Sequence, residues 1–134
     1  MTSTHAFRLL PGTDLRQGIQ SFVEEKGITA GWVSCCVGSL STSHIRYANQ
    51  PEGQKQTGPF EIVSLNGTLS IHGSHLHISI SNEAGSMIGG HLLTGNEVYT
   101  TAEIIIQEAV HLVFTRGADG STPWKELQIS PKDL

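Results

Sequence analysis

The hydrophobic pattern of the chain changes its period once, and this change limits the folds that the chain can adopt. Between residues 13 and 26, apolar residues recur at the three- and four-residue spacing of an amphipathic helix: Leu15, Ile19, Phe22 and Val23. Thr13 is a suitable N-cap, and Gly27 is a suitable C-terminal stop. From residue 30 onward the apolar residues follow a period of about two, which is typical of strands. We therefore predict an α+β fold, in which an N-terminal helix packs on a mainly antiparallel sheet.

The strands are predicted at 5–10, 30–37, 42–48, 60–71, 75–81, 86–91, 97–107 and 109–115, with an edge strand at 124–129. Gly38-Ser39 is predicted as a turn or bulge and Gly67 as a bulge. The polar segment 49–59 is predicted as a mobile loop, because it is rich in Gly, Pro and Gln. No linker or repeat interrupts the chain, so we predict one domain over residues 1–134, with its core at about 5–130.

Composition and charge exclude several classes of protein. The 134 residues carry a formal charge of -4, and their eight Lys and Arg are scattered, so no global positive field would attract nucleic acid. No apolar run approaches the ~20 residues that span a bilayer, and the N-terminus does not resemble a signal peptide. The adjacent Cys35 and Cys36 are predicted to be reduced thiols in or beside a core strand. We predict a soluble cytoplasmic protein that has no membrane partner.

Four of the seven histidines lie between residues 72 and 92. Side chains alternate across a strand, so His75 and His77 share one face, whereas Leu76, Ile78 and Ile80 point into the core. His91 lies on the next strand, and its face depends on the hairpin. A loop with an even number of residues places His91 opposite Leu76, on the wrong face. An odd loop, or a bulge at Gly89-Gly90, places it beside His75 and His77.

Three neutral imidazoles with a vacant fourth position are the ligand set of a catalytic type of zinc site, although iron, nickel or copper would also accept them. The alternative is an ordinary solvent-facing sheet. Glu103 is the candidate acid, either orienting an imidazole or acting as a general acid or base. His72 is predicted to face solvent and His111 to be a structural residue of an apolar strand. Trp32 and Trp124 are expected in the core or at a subunit interface.

The segments LLPGTDL, VGSLS, GPFEIVSLNGTLS, HLHISISNEAGSMIGGHL and TTAEIIIQE, in this order, resemble the PPC (plants-and-prokaryotes conserved) domain over about residues 7–129. The resemblance implies a strongly bent sheet, a homotrimer and, as in some prokaryotic members, a metal at the HLH and GGH motifs, here His75, His77 and His91. The plant versions lack the HLH histidines. The expected scaffold is similar to that of acetolactate decarboxylase, a likeness that does not transfer an activity.

This chain departs in two respects from the family that it resembles. It lacks the AT-hook with which plant members contact DNA, and Asn96 stands where a cysteine is frequent. Three hypotheses stay open. The first is a homotrimeric metal-binding protein of unestablished function, for which a regulatory role and a small-molecule ligand are both open. The second is a DNA-binding protein that acts directly or through a partner. The third is a zinc-dependent enzyme acting on a small carbonyl or carboxylate compound, for which Arg8, Arg46 and Arg116 are the available arginines.

Overall fold

The computed structural model describes residues 1–133 and contains one helix and eight strands within them. In chain order the elements are β1 (Thr2–Leu9), α1 (Leu15–Glu25), β2 (Gly31–Arg46), β3 (Gln54–Leu69), β4 (His75–Ser81), β5 (Met87–Leu92), β6 (Val98–Ala109), β7 (Leu112–Gly117) and β8 (Glu126–Pro131). The predicted helix followed by mainly antiparallel strands is confirmed. Across residues 1–133, no helix is long and apolar enough to cross a membrane.

Helix α1 packs on the sheet through the predicted stripe. Leu15, Ile19 and Val23 are fully buried in the core. The ring of Phe22 stacks on that of Phe7 in β1, with centroids 3.9 Å apart. The N-cap is Asp14 rather than the predicted Thr13, because the Asp14 carboxylate accepts a hydrogen bond from the Gln17 amide at 3.0 Å.

Six strands form one antiparallel sheet in the order β1-β6-β2-β3-β4-β5. The end of β2 also pairs with β5, so that β2, β3, β4 and β5 close on one another. Inward-facing side chains from these strands and from α1 form a single hydrophobic core. Because this closure brings β5 beside β2, residues at the end of β2 lie next to the histidine of β5.

Two long strands replace elements that we predicted as shorter ones. The predicted strands 30–37 and 42–48 form one continuous strand, β2. Of the two alternatives for Gly38-Ser39, the structure has the bulge and not the turn, because the pairing with β6 shifts its register between Gly38 and Leu40. The predicted mobile loop 49–59 is also wrong in part, since Gln54 begins β3. Residues 54–57 pair with β2 through their backbones, and backbone pairing does not depend on the polar side chains that suggested a loop.

The C-terminal strands do not complete the main sheet as predicted. β7 and β8 pair only with each other and form a separate two-stranded sheet. His111 lies in the exposed turn between β6 and β7, so its prediction as a residue of an apolar strand is wrong. The segment that connects β7 to β8 includes Trp124, which is 70% exposed. Trp32 in β2 is 36% exposed, so neither tryptophan belongs to the core.

Candidate metal centre

The hairpin of β4 and β5 places three histidines on one face of the sheet. Its loop, residues 82–86, contains five residues, which is the odd length that the sequence required. His77 consequently pairs directly with His91, and Leu76 and Leu92 are buried on the opposite face. No bulge interrupts the pairing at Gly89-Gly90, where Gly90 pairs with Ile78 and Gly89 with Ser79.

The three imidazoles converge on a small volume. One potential ligand nitrogen from each of His75, His77 and His91 lies within 4.8 Å of the others. The ring centroids are 4.8 Å apart for His75 and His77, 5.2 Å for His75 and His91, and 5.9 Å for His77 and His91. Within residues 1–133, none of the three rings makes a hydrogen bond with a protein group. Their nitrogens are therefore available to a ligand.

The surroundings of His75 and His91 favour the neutral form of these two imidazoles. Partial burial and, after it, the positive charge of Arg46 together lower the pKa of His91 to about 4. Burial also lowers the pKa of His75, as does the neighbouring His77. A neutral imidazole is the form that coordinates a metal, so the charge state near neutral pH suits coordination.

An open cleft of about 960 Å³ adjoins His75 and His91. Its walls come from the end of β2, the segment after β2, the turn before β4, and the β7–β8 hairpin. The polar side chains that line it include Arg46, Arg116, Lys125 and Glu126, and Trp124 supplies an aromatic wall. Of the three arginines that the sequence made available, the cleft therefore contains two.

Glu103 does not lie at this cluster within one chain. It is exposed on β6, where it pairs with Val37, whereas His91 pairs with Arg46 nine residues further along β2. A strand rises about 3.3 Å per residue, so this separation is too large for contact. The carboxylate near the imidazoles is that of Glu126, which acts to raise the pKa of His75. Sequence reasoning missed Glu126, because β8 joins the cleft only through tertiary packing.

The remaining histidines and the cysteines lie elsewhere. His72 is exposed, as predicted. His5 hydrogen-bonds Glu108 at 2.9 Å. Both thiols are free: Cys35 is exposed on β2, and burial raises the pKa of Cys36 to about 12.

Asn96 has a structural role that the sequence did not reveal. Its side chain is fully buried and accepts a hydrogen bond from the His44 amide at 2.9 Å. It also donates to the carbonyl oxygens of His44 at 3.1 Å and Leu93 at 2.6 Å. The Asp14 carboxylate accepts from the Asn96 amide at 3.2 Å, which links this turn to the start of α1. Asn96 thus joins β2, the segment after β5 and the helix.

Comparison with known proteins shows the same scaffold in both sequence and structure. The chain is 39% identical over 125 residues to the bifunctional protein GlmU of Synechococcus sp. strain JA-3-3Ab; that match covers 93% of the chain but only 20% of the relative. The structure of a hypothetical protein from Salmonella enterica is 39% identical and has a TM-score of 0.97, with 98% of this chain and 96% of that chain covered.

A metal-containing protein from Archaeoglobus fulgidus is 30% identical and has a TM-score of 0.80, with 94% of this chain and 93% of that chain covered. Structures from Bacteroides thetaiotaomicron and Ralstonia eutropha, which were named as candidate DNA-binding proteins, are only 20% and 18% identical, and likeness to them shows the fold alone. The Plants and Prokaryotes Conserved domain, abbreviated PPC or PCC, matches residues 1–110. The chain belongs to the Plants and Prokaryotes Conserved domain family.

Proposed function

We propose that this chain is a metal-binding protein in which His75, His77 and His91 hold one divalent cation, with zinc as the expected ion. The observation that carries the proposal is the approach of three ligand nitrogens to within 4.8 Å of one another. Small side-chain rotations would bring each nitrogen to the usual distance of about 2.0–2.1 Å from zinc. The metal-containing relative from Archaeoglobus fulgidus, at 30% identity, supports the same conclusion.

The donor set also indicates what the metal would do. Three histidines leave one position of a tetrahedral ion open, as in sites that bind water or an external ligand. The core beneath the hairpin is complete without the imidazoles, because Leu76, Ile78 and Leu92 are buried there. The ion would therefore serve ligand binding at the surface rather than hold the fold together.

Zinc titration of protein purified without a histidine tag tests the site. We expect one zinc ion per chain and a rise in thermal unfolding temperature, because binding to the folded state alone stabilises it. His77→Ala should abolish both effects while leaving the circular dichroism spectrum unchanged. His72→Ala is the matched control, since it removes an exposed histidine outside the cluster. Zinc binding by His77→Ala at the wild-type level would refute the site.

A homotrimer is part of the proposal, and the outer face of the sheet supports self-association. Cys35, Val37, Val63 and Ile105 are exposed on neighbouring positions of β2, β3 and β6. Val37 is 55% exposed, and Trp32 lies close by on β2. Exposed apolar side chains grouped on neighbouring strands are typical of an interaction surface. We name these five residues the β2 patch.

A second function, metal-dependent catalysis on a small carbonyl or carboxylate compound, is favoured by the cleft beside the cluster. A metal can polarise such a substrate, and Glu126 provides a carboxylate near His75. A role for Glu103 stays a prediction that would require a neighbouring subunit. Cytoplasmic location and similarity to the acetolactate decarboxylase scaffold also stay predictions.

Direct DNA binding has weaker support. The charge of -4 opposes the phosphate contacts that supply much of the affinity of DNA-binding proteins. The cationic residues around the cleft lie beside histidines and an aromatic wall rather than along an extended stripe. We therefore place the function at the metal cleft.

A further inference from the structure

We propose that the cleft is the binding site of a small organic oxyanion, a carboxylate or a phosphate ester, which is held jointly by Arg46, Arg116 and the metal. This inference rests on the proposed function and specifies its ligand. It follows from where the two guanidinium groups are attached, from the local charge balance and from the aromatic wall.

The two arginines lie on opposite sides of the histidine cluster. One arginine is the strand partner of a histidine, and the other bonds the strand partner of a second histidine. Arg46 in β2 pairs directly with His91, so the two side chains lie on the same face. Arg116 in β7 donates a hydrogen bond to Thr68 Oγ1 at 2.8 Å, and Thr68 pairs with His75. Both guanidinium groups therefore flank the imidazoles and line one cleft with them.

Neither guanidinium is neutralised by the protein. In the described part of the chain, no carboxylate lies within 4.0 Å of Arg46, Arg116 or Lys125; the one ion pair joins His5 and Glu108. Among residues 1–133, the one hydrogen-bond partner of the Arg46 guanidinium is the Gln50 carbonyl oxygen, at 3.5 Å. Of the residues that the structure describes, Glu126 is the one acidic side chain that lines the cleft. In a chain of net negative charge, this is a local excess of positive charge, and a metal would increase it.

The remaining chemistry of the cleft indicates an organic ligand. Guanidinium groups bind carboxylate and phosphate oxygens in a fixed, bidentate geometry. Trp124 offers an apolar surface to the rest of the molecule, and about 960 Å³ is ample for a compound larger than an inorganic ion. A ligand with one oxygen on the metal, others on the arginines and an apolar body beside Trp124 would use every group of the cleft.

The test uses three probes of one size: benzoate, phenyl phosphate and the neutral benzamide. Their affinities for the full-length, zinc-loaded protein are measured by calorimetry and by quenching of tryptophan fluorescence. We expect at least one oxyanion to bind tenfold or more tightly than benzamide. The stronger of benzoate and phenyl phosphate identifies the class of the natural ligand. Trp124→Phe should abolish the quenching, because Trp32 lies outside the cleft.

Variants connect this binding to the two arginines. Arg46→Gln and Arg116→Gln should each weaken oxyanion binding roughly tenfold, since each removes charge-assisted hydrogen bonds. Arg46→Lys keeps the positive charge but loses the bidentate guanidinium geometry, so it should give an intermediate affinity. Arg8→Gln is the matched control, because Arg8 is exposed on β1 and bonds Thr100 and Thr101 outside the cleft. Zinc titration of each variant shows that the metal site is intact.

The outcomes separate the two proposals. If zinc binds but neither oxyanion exceeds benzamide, or if both Gln variants bind as the wild type does, the oxyanion site is refuted and the metal site stands. If zinc does not bind, the proposed function fails. The arginines are then judged by the same comparison in metal-free protein, where loss of oxyanion binding in both Gln variants supports the inference and unchanged binding overturns it.

Discussion

His77 and His91 are direct partners across the β4–β5 hairpin, and His91 is in turn the direct partner of Arg46 in β2. One position of β5 therefore lies between a histidine on one neighbouring strand and an arginine on the other. Because paired residues share a face, the backbone register of three strands arranges the proposed metal ligands and the arginine beside them. A change in that register should affect the site before it affects the core.

Gly67 offers a way to disturb the register next to the cluster. It lies in β3 opposite Leu76, and a Cβ there would collide with the His75 carbonyl oxygen. Gly67→Ala should lower the free energy of unfolding by about 3 kcal/mol and weaken zinc binding, because the backbone of His75 must move. Urea unfolding and zinc titration measure the two effects.

Gly85→Ala is the matched control for this substitution. Gly85 also has a positive φ, +79°, but no atom lies within 4 Å of the added Cβ. It should cost only about 1 kcal/mol and leave zinc binding unchanged. Equal zinc affinity of Gly67→Ala and wild type would contradict the expected link between this contact and His75.

The lowered pKa of His91 predicts how acid affects the metal-free protein. The unfolded chain has the ordinary histidine pKa of 6.5, whereas the folded value is about 4. Between these values the unfolded state binds more protons, so acidification favours unfolding. This contribution to stability is fully present above pH 6.5 and is lost as the pH falls towards 4.

Urea unfolding at several pH values between 7.5 and 4.5 checks this sign. His91→Gln should lose less stability on acidification than the wild type, because a group that titrates has been removed. His72→Gln should retain the wild-type dependence, since it removes an exposed histidine outside the cluster. A His91→Gln protein with the wild-type dependence on pH would contradict the prediction.

Asn96 should be a major contributor to stability without affecting the metal directly. Asn96→Ala removes three hydrogen bonds that a fully buried side chain makes with the part-buried backbone of His44 and Leu93. We expect the free energy of unfolding to fall by about 3 kcal/mol. Asn66→Ala, at an exposed position of β3, should change it by less than about 0.5 kcal/mol. Equal stability of the two variants would show that the buried hydrogen bonds contribute little.

The β2 patch predicts the behaviour of an assembly mutant. Val37→Glu places a charge on the exposed apolar face and should convert the proposed trimer into monomers, as measured by light scattering after gel filtration. Met87→Glu is the control, because Met87 is similarly exposed at 57% but lies on β5, outside the patch. A wild-type protein with the mass of one chain, or a Val37→Glu protein that stays trimeric, would argue against association through the patch.

The helix and many of the strands can be predicted from local sequence patterns, but the pairing of the strands cannot. Helix α1 could be predicted because Leu15, Ile19 and Val23, its buried residues, recur at helical spacing within one short segment. The faces of His75 and His77 follow from alternation in one strand. The face of His91 was undecided, because it depends on how many residues of the loop remain unpaired. We predicted a strand that begins at Ser86, whereas β5 begins at Met87, and this difference makes the loop odd in length.

The cleft was out of reach for a related reason. The sequence offered three arginines as candidates for the site and no reason to prefer Arg46 and Arg116. These two reach the cleft because β2 closes on β5 and because β7 lies beside Thr68. The segment 49–59 was misjudged because its side chains are polar, whereas its pairing with β2 uses the backbone. Trp124 was expected in the core or at a subunit interface, and within this chain it lies exposed on the cleft wall.

The histidines lie on the outer side of a hairpin whose inner side is already complete, and this has an evolutionary consequence. Substituting them leaves Leu76, Ile78 and Leu92 in place, so a lineage can discard or exchange its ligand set without needing a new interior. The architecture and the proposed metal site can therefore change independently of each other.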